Sequence, residues 1–88
     1  MNNPNPTVAD LIRQARGTRP LRDFGQQLGV SHTAVSNWES GASLPGDENL
    51  QAWYASRNVA IATLAIEIYT IRYRATLQAL AEACYATA

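Results

Sequence analysis

Two short apolar-periodic segments stand almost end to end in this chain, with only Gly29, Val30 and Ser31 between them. Leu21, Phe24 and Leu28 recur at helical spacing before that joint, and Ala34, Val35 and Trp38 recur after it. Two helices that short cannot bury their apolar faces separately, so they must cross at a steep angle and share one wedge. Gly29 supplies a left-handed backbone residue for such a joint, Val30 a buried turn residue, and Ser31 an N-cap for the second helix. Gly25 is the small residue that allows the two helices to approach. Once Ala34, Val35 and Trp38 face inward, His32, Thr33, Ser36 and Asn37 face out.

The flanking sequence extends the helical pattern in both directions. Thr7 with Asp10 three residues on forms a capping-box-like start, and Val8, Leu11, Ile12 and Ala15 continue a first helix to about Arg16, where Gly17 ends it. Pro20 suits the first turn of the next helix. Gly41 closes the third helix, and the stretch from Gly41 to Gly46, with Pro45, is expected as a surface loop. From Asp47 to Ala88 there is neither Gly nor Pro. Asp47 and Glu48 load the first turn of a fourth helix with favourable charge, and Leu50 and Trp53 are its core candidates. A break at Ser56-Arg57-Asn58 then precedes a long fifth helix from Val59 to about Tyr85. No strand-like alternation and no internal repeat occurs, so the fold class is all-α: a compact five-helix domain with a long C-terminal helix. The division expected is 1–6 as a disordered lead-in, 7–57 as the helical bundle, and 58–88 as a helix for packing and dimerisation.

Composition narrows the function. Apolar residues are 47% of the chain and charged residues 16%, which is globular and not disordered. The formal net charge is zero, which taken alone argues against strong nonspecific binding to nucleic acid. Yet all seven basic residues are Arg, the side chain suited to bidentate contact with phosphate and guanine. Arg13, Arg16, Arg19 and Arg22 lie close together, either as a binding patch or as a solvated helix end. Cys84 is the single cysteine, expected as a packed or half-exposed small hydrophobe, and His32 is the single histidine. No thiol cluster, multi-histidine set or converging acid, base and nucleophile exists, so neither an enzyme nor a cofactor is expected. The polar start, Met1 to Pro6, lacks the apolar core of a signal peptide, and no apolar run reaches membrane-spanning length. A cytoplasmic location fits.

The stretch Leu28-Gly29-Val30-Ser31, then Val35-Ser36-Asn37-Trp38-Glu39, then Gly41 and Pro45, resembles the lambda-repressor/Cro-type (XRE-like) helix-turn-helix family of bacterial and phage transcription regulators. The similarity spans Val8 to about Ala55. It implies a double-stranded DNA operator as partner, with Ser31, His32, Thr33, Ser36 and Asn37 as base readers. Phosphate contacts would fall to Arg19, Arg22, Gln26 and Ser40, and Arg16 would pair with Glu39 as a structural salt bridge. The chain departs from the family in having Leu21 where a polar residue is common and Gly25 where Ala is usual. Its first inter-helix connection is shorter, and its Ala42-Ser43-Leu44-Pro45-Gly46 loop has no Lys or Arg. Ionic phosphate contacts are therefore fewer than the family norm, and backbone amides at helix starts must supply more of them.

The last helix is apolar on two opposed faces. Val59, Ala62, Ile66, Tyr69, Tyr73, Leu77, Leu80 and Cys84 form one stripe; Ile61, Leu64, Ile68, Ile71 and Ala75 form the other. A helix apolar on opposite sides must be covered on both. One stripe packs on the bundle, and the other is either covered within a sharply folded monomer or calls for a second molecule, by symmetry a homodimer on a palindromic operator. Ile66 with Tyr73, or Ile68 with Ile71, are the candidate interface pairs, and the sequence leaves the choice open. A different protein as the partner, as for an antitoxin or a phage adaptor, is the rival expectation.

Overall fold

A computed structural model describes residues 6–87, and its five helices follow in order as α1 Val8–Arg16, α2 Leu21–Leu28, α3 His32–Ser40, α4 Asp47–Tyr54 and α5 Val59–Thr87. The expected lead-in at 1–6 lies, apart from Pro6, outside the described residues. At α1 the capping box is complete: the Asp10 N–H donates to Thr7 Oγ1 at 3.1 Å, and the Thr7 N–H donates to Asp10 Oδ2 at 3.0 Å. Ser31 caps α3 by accepting from the Ala34 N–H at 3.1 Å. Between α2 and α3, Gly29 adopts the left-handed conformation (φ 75°, ψ 29°) that a side chain would resist. The break before α5 spans 55–58, one residue longer than the expected 56–58, and Asn58 Oδ1 accepts from the Ala60 and Ile61 N–H groups at 3.0 and 3.4 Å. Asn58 thereby satisfies the donors left over at the start of α5.

One apolar core holds these elements together, and it draws on both sides of the 57/58 boundary. Ile12, Phe24, Val35 and Ile68 are its most enclosed side chains, from α1, α2, α3 and α5 respectively. Burying one such side chain fully stabilises the fold by roughly 1.5–3 kcal/mol. Trp38 and Trp53 meet edge to face, centroids 5.5 Å apart at 72°, which adds about 0.5–1.5 kcal/mol beyond area. Trp53 Nε1–H also donates to the Leu28 carbonyl at 2.9 Å, so α4 satisfies the buried C-terminal end of α2. Pro45 is turned into the interior although its loop lies on the surface, and its carbonyl accepts from Arg72. Val30 is half-buried, not fully buried as expected.

The two stripes of α5 resolve differently. Ile61, Leu64, Ala65 and Ile68 lie in the core, and Ile71 packs against it. Ile68, with no exposed surface, and Ile71 are thus withdrawn as interface candidates: α1 and α4 already cover them. The opposite stripe stays open, with Val59, Ile66, Tyr69, Tyr73, Leu77 and Leu80 each about half exposed or more. From Tyr73 to Cys84 every residue is exposed, so Cys84 is not packed. The second half of α5 projects beyond the bundle. The chain measures 50 × 29 × 22 Å, with a radius of gyration of 14.6 Å against about 12 Å for a compact chain of this length. No helix among the described residues is long and apolar enough to cross a membrane.

Candidate nucleic-acid interface

The outer face of α3 is short, polar and unengaged. Ser31, His32, Thr33, Ser36 and Asn37 are all exposed, as are Arg22 and Gln26 on α2 and Ser40 at the end of α3. Among the described residues the side chains of Arg22, Gln26, His32, Thr33, Ser36 and Asn37 make no hydrogen bond, so their donors and acceptors face water. Two of the expected contact residues are already engaged. Ser31 Oγ serves as the cap of α3, and Ser40 Oγ donates to the Asn37 carbonyl at 3.0 Å. Arg22 and Gln26, one helical turn apart, share a face of α2.

Arg19 departs furthest from the expected role. Its Nε donates to the Arg16 carbonyl at 3.1 Å, its two terminal nitrogens donate to Gln27 Oε1 and the Ala15 carbonyl, and its guanidinium lies 5.0 Å over the Phe24 ring. The fork caps the C-terminal carbonyls of α1 instead of reaching outward, although the side chain is exposed and its charge remains at the surface.

The position of α3 is set from behind by α1. Arg16 grips Glu39 with two parallel bonds, Nε to Oε2 at 2.7 Å and Nη2 to Oε1 at 3.0 Å, and its third nitrogen donates to the Arg19 carbonyl at 2.9 Å. The Glu39 carboxylate beside it, through the paired hydrogen bonds, holds the guanidinium above its usual pKa. The ion pair that the family resemblance implied is therefore formed. Arg13 adds a contact for which no local sequence signal exists, donating to the Glu39 backbone carbonyl at 2.7 Å. Arg13 also pairs with Asp10. The Thr7 backbone N–H first, and then Arg13, hold the Asp10 carboxyl below its ordinary value. At the other end of α3 the fit is tight: a Cβ on Gly25 would stand 2.8 Å from the Val30 carbonyl oxygen and 3.3 Å from the Ser31 carbonyl carbon. Gly25 thus accommodates the turn and the first residues of α3, not the body of that helix.

The N-termini divide into two kinds. Thr7 and Ser31 cap α1 and α3 with side-chain oxygens, whereas Pro20 and Gly46, at the starts of α2 and α4, bring none. The first amides of α2 therefore remain open to an anion, with Arg22 in the same turn. No group of three or more potential metal ligands occurs among the described residues.

Residues 10–53 match the family model described as Helix-turn-helix. No curated protein and no solved structure matches the chain. The matched span runs from the Asp10 capping position through Trp53, and so covers most of α1, all of α2 and α3, the loop and nearly all of α4.

Proposed function

The chain belongs to the lambda-repressor/Cro-type family of DNA-binding helix-turn-helix regulators, and from that premise we propose that it is a repressor that binds a palindromic operator as a homodimer. The observation that carries this is the outer face of α3: the exposed side chains of His32, Thr33, Ser36 and Asn37, which have no partner among the described residues, on a helix clamped at both ends. Asn37 pairs in bidentate fashion with an adenine, His32 donates to a guanine, and the Thr33 methyl rests on a thymine. Ser36 and the Ser31 hydroxyl hydrogen complete the reading face. Arg22, Gln26 and the open amides of α2 hold the phosphate backbone, with Ser40 at the far end of α3 and the Arg19 charge nearby. Phosphate contacts fix register, and base contacts fix sequence.

A mobility-shift assay on duplexes from the chain's own promoter region tests the proposal. A discrete shift at nanomolar protein, resistant to excess random duplex, is the expected result. No shift on any duplex at micromolar protein would favour the rival role, a module that binds a different protein through α5.

A further inference from the structure

The cap of α3 passes over the Glu39 carbonyl. The Gly41 N–H goes to the Asn37 and Trp38 carbonyls, and the Ala42 and Ser43 N–H groups go to Asn37 at 2.9 and 3.4 Å. None of the three amides that follow the helix reaches Glu39, and α3 has no basic residue in its own last turn to offset the negative end of its dipole. Arg13 answers both needs from α1. Its Nη1 donates to the Glu39 carbonyl oxygen at 2.7 Å, while Asp10 accepts from its other terminal nitrogen. Asp10 is in turn fixed by the capping box with Thr7.

Arg16, one turn further along α1, holds the same residue in a different way, by the Glu39 carboxylate. A carboxylate sits on two methylenes and can swing while the helix beneath it moves. A backbone carbonyl moves only with its helix, so the rigid attachment between α1 and α3 is the one that Arg13 makes. The geometry matters for reading bases. Turning α3 by about 10° carries a side-chain tip ~6 Å from its axis through about 1 Å. The paired bonds of Asn37 to an adenine tolerate only a few tenths of an ångström, because hydrogen bonds weaken steeply with distance and angle.

We propose that Arg13 is a specificity-determining positioning residue, which sets the rotation of α3 through the Glu39 backbone carbonyl and touches no phosphate. The arginines at 13, 16, 19 and 22 then divide by role: Arg22 faces the duplex, and Arg13 acts through the helix that reads it. This proposal rests on the DNA half of the proposed function and not on its homodimer half.

The test measures Arg13→Ala and Arg13→Lys on the operator and on a scrambled duplex over a salt series, with carbonyl-carbon NMR of the free protein beside it. Arg13→Ala should lose about fivefold in operator affinity, the worth of one partly exposed charged hydrogen bond, and nothing on the scrambled duplex. Its salt slope should equal that of the wild type, because no phosphate contact is removed. Arg13→Lys, which keeps a cationic donor on a long stem, should come within about twofold of wild type on the operator. Without DNA, the Glu39 carbonyl resonance should move in Arg13→Ala. Arg13 is exposed, so unchanged circular dichroism confirms that both variants fold. Equal losses on both duplexes with a slope lower by about one unit would make Arg13 a phosphate contact and overturn the proposal. Unchanged operator affinity, an unmoved Glu39 resonance, or Arg13→Lys as weak as Arg13→Ala would overturn it too. A wild-type chain that binds both duplexes equally overturns the DNA reading and this role with it, and the Glu39 resonance then still reports whether the contact forms.

Discussion

Replacing Gly25 with Ala sets two effects of opposite sign against each other. Gly25 lies inside α2, where Ala is favoured over Gly by roughly 0.5–1 kcal/mol through backbone entropy. Against this, the added Cβ would stand 2.8 Å from the Val30 carbonyl oxygen, a backbone atom that no rotamer change can move. That oxygen belongs to the joint itself, where the Val30 N–H already donates to the Gly25 carbonyl at 2.8 Å, so relief requires opening the turn. Overpacking of this kind costs about 1–3 kcal/mol, so the clash outweighs the propensity gain and the net loss should be about 1 kcal/mol. In urea this corresponds to a midpoint lower by roughly 0.5–1 M with an unchanged slope, at fixed protein concentration. Operator affinity should fall as well, because the Ser31 cap and the start of α3 must shift with the turn. A midpoint equal to or above wild type would refute the reasoning and mean that the joint yields at little cost.

Three other substitutions or titrations bear on separate parts of the structure. Trp53→Phe keeps most of the ring but leaves the buried Leu28 carbonyl without its donor, so urea unfolding should show a loss of about 1–3 kcal/mol; a loss under 0.5 kcal/mol would mean that the bond contributes little. Asp10 should titrate below its ordinary 3.8 in a carboxyl-carbon NMR experiment, and Arg13→Gln should move it back up. Its folded pKa is depressed, so its stabilisation is present above the unfolded value and lost as pH falls through the folded one; a midpoint at or above 3.8 would contradict the capping-box geometry. Arg22→Ala should weaken binding to all duplexes alike and reduce the salt dependence by about one unit, and an unchanged slope would remove Arg22 from the phosphate contacts.

Local signals in the sequence were legible where backbone conformation depends on one or two residues. Thr7 with Asp10, Ser31 as a cap, Gly29 in the joint and the break at Ser56–Asn58 all concern hydrogen bonds a few residues apart. The Arg16–Glu39 pair, 23 residues apart, came only through family resemblance. Periodicity identified both stripes of α5 but could not say which was inside. That depends on which side of α5 α1 and α4 occupy, and tertiary packing places Ile68 and Ile71 inward. The capping contacts of Arg19 were not legible, because an arginine near a helix end can equally cap the carbonyls behind it or reach forward. The Trp53 indole was counted as core, although a buried Trp N–H needs a partner and points to one. At the site, the exposure of Asn37 followed directly from the inward positions of Val35 and Trp38.

Whether α3 reads sequence is tested most directly by measuring Asn37→Ala on two duplexes, the selected operator and a scrambled version, at the same salt. Asn37 is exposed, its side chain has no partner among the described residues, and removing it leaves the Trp38 packing untouched. The expected result is a loss of about 1–3 kcal/mol on the operator with affinity for the scrambled duplex unchanged. Equal weakening on both duplexes, or no change on either, would contradict base reading by α3.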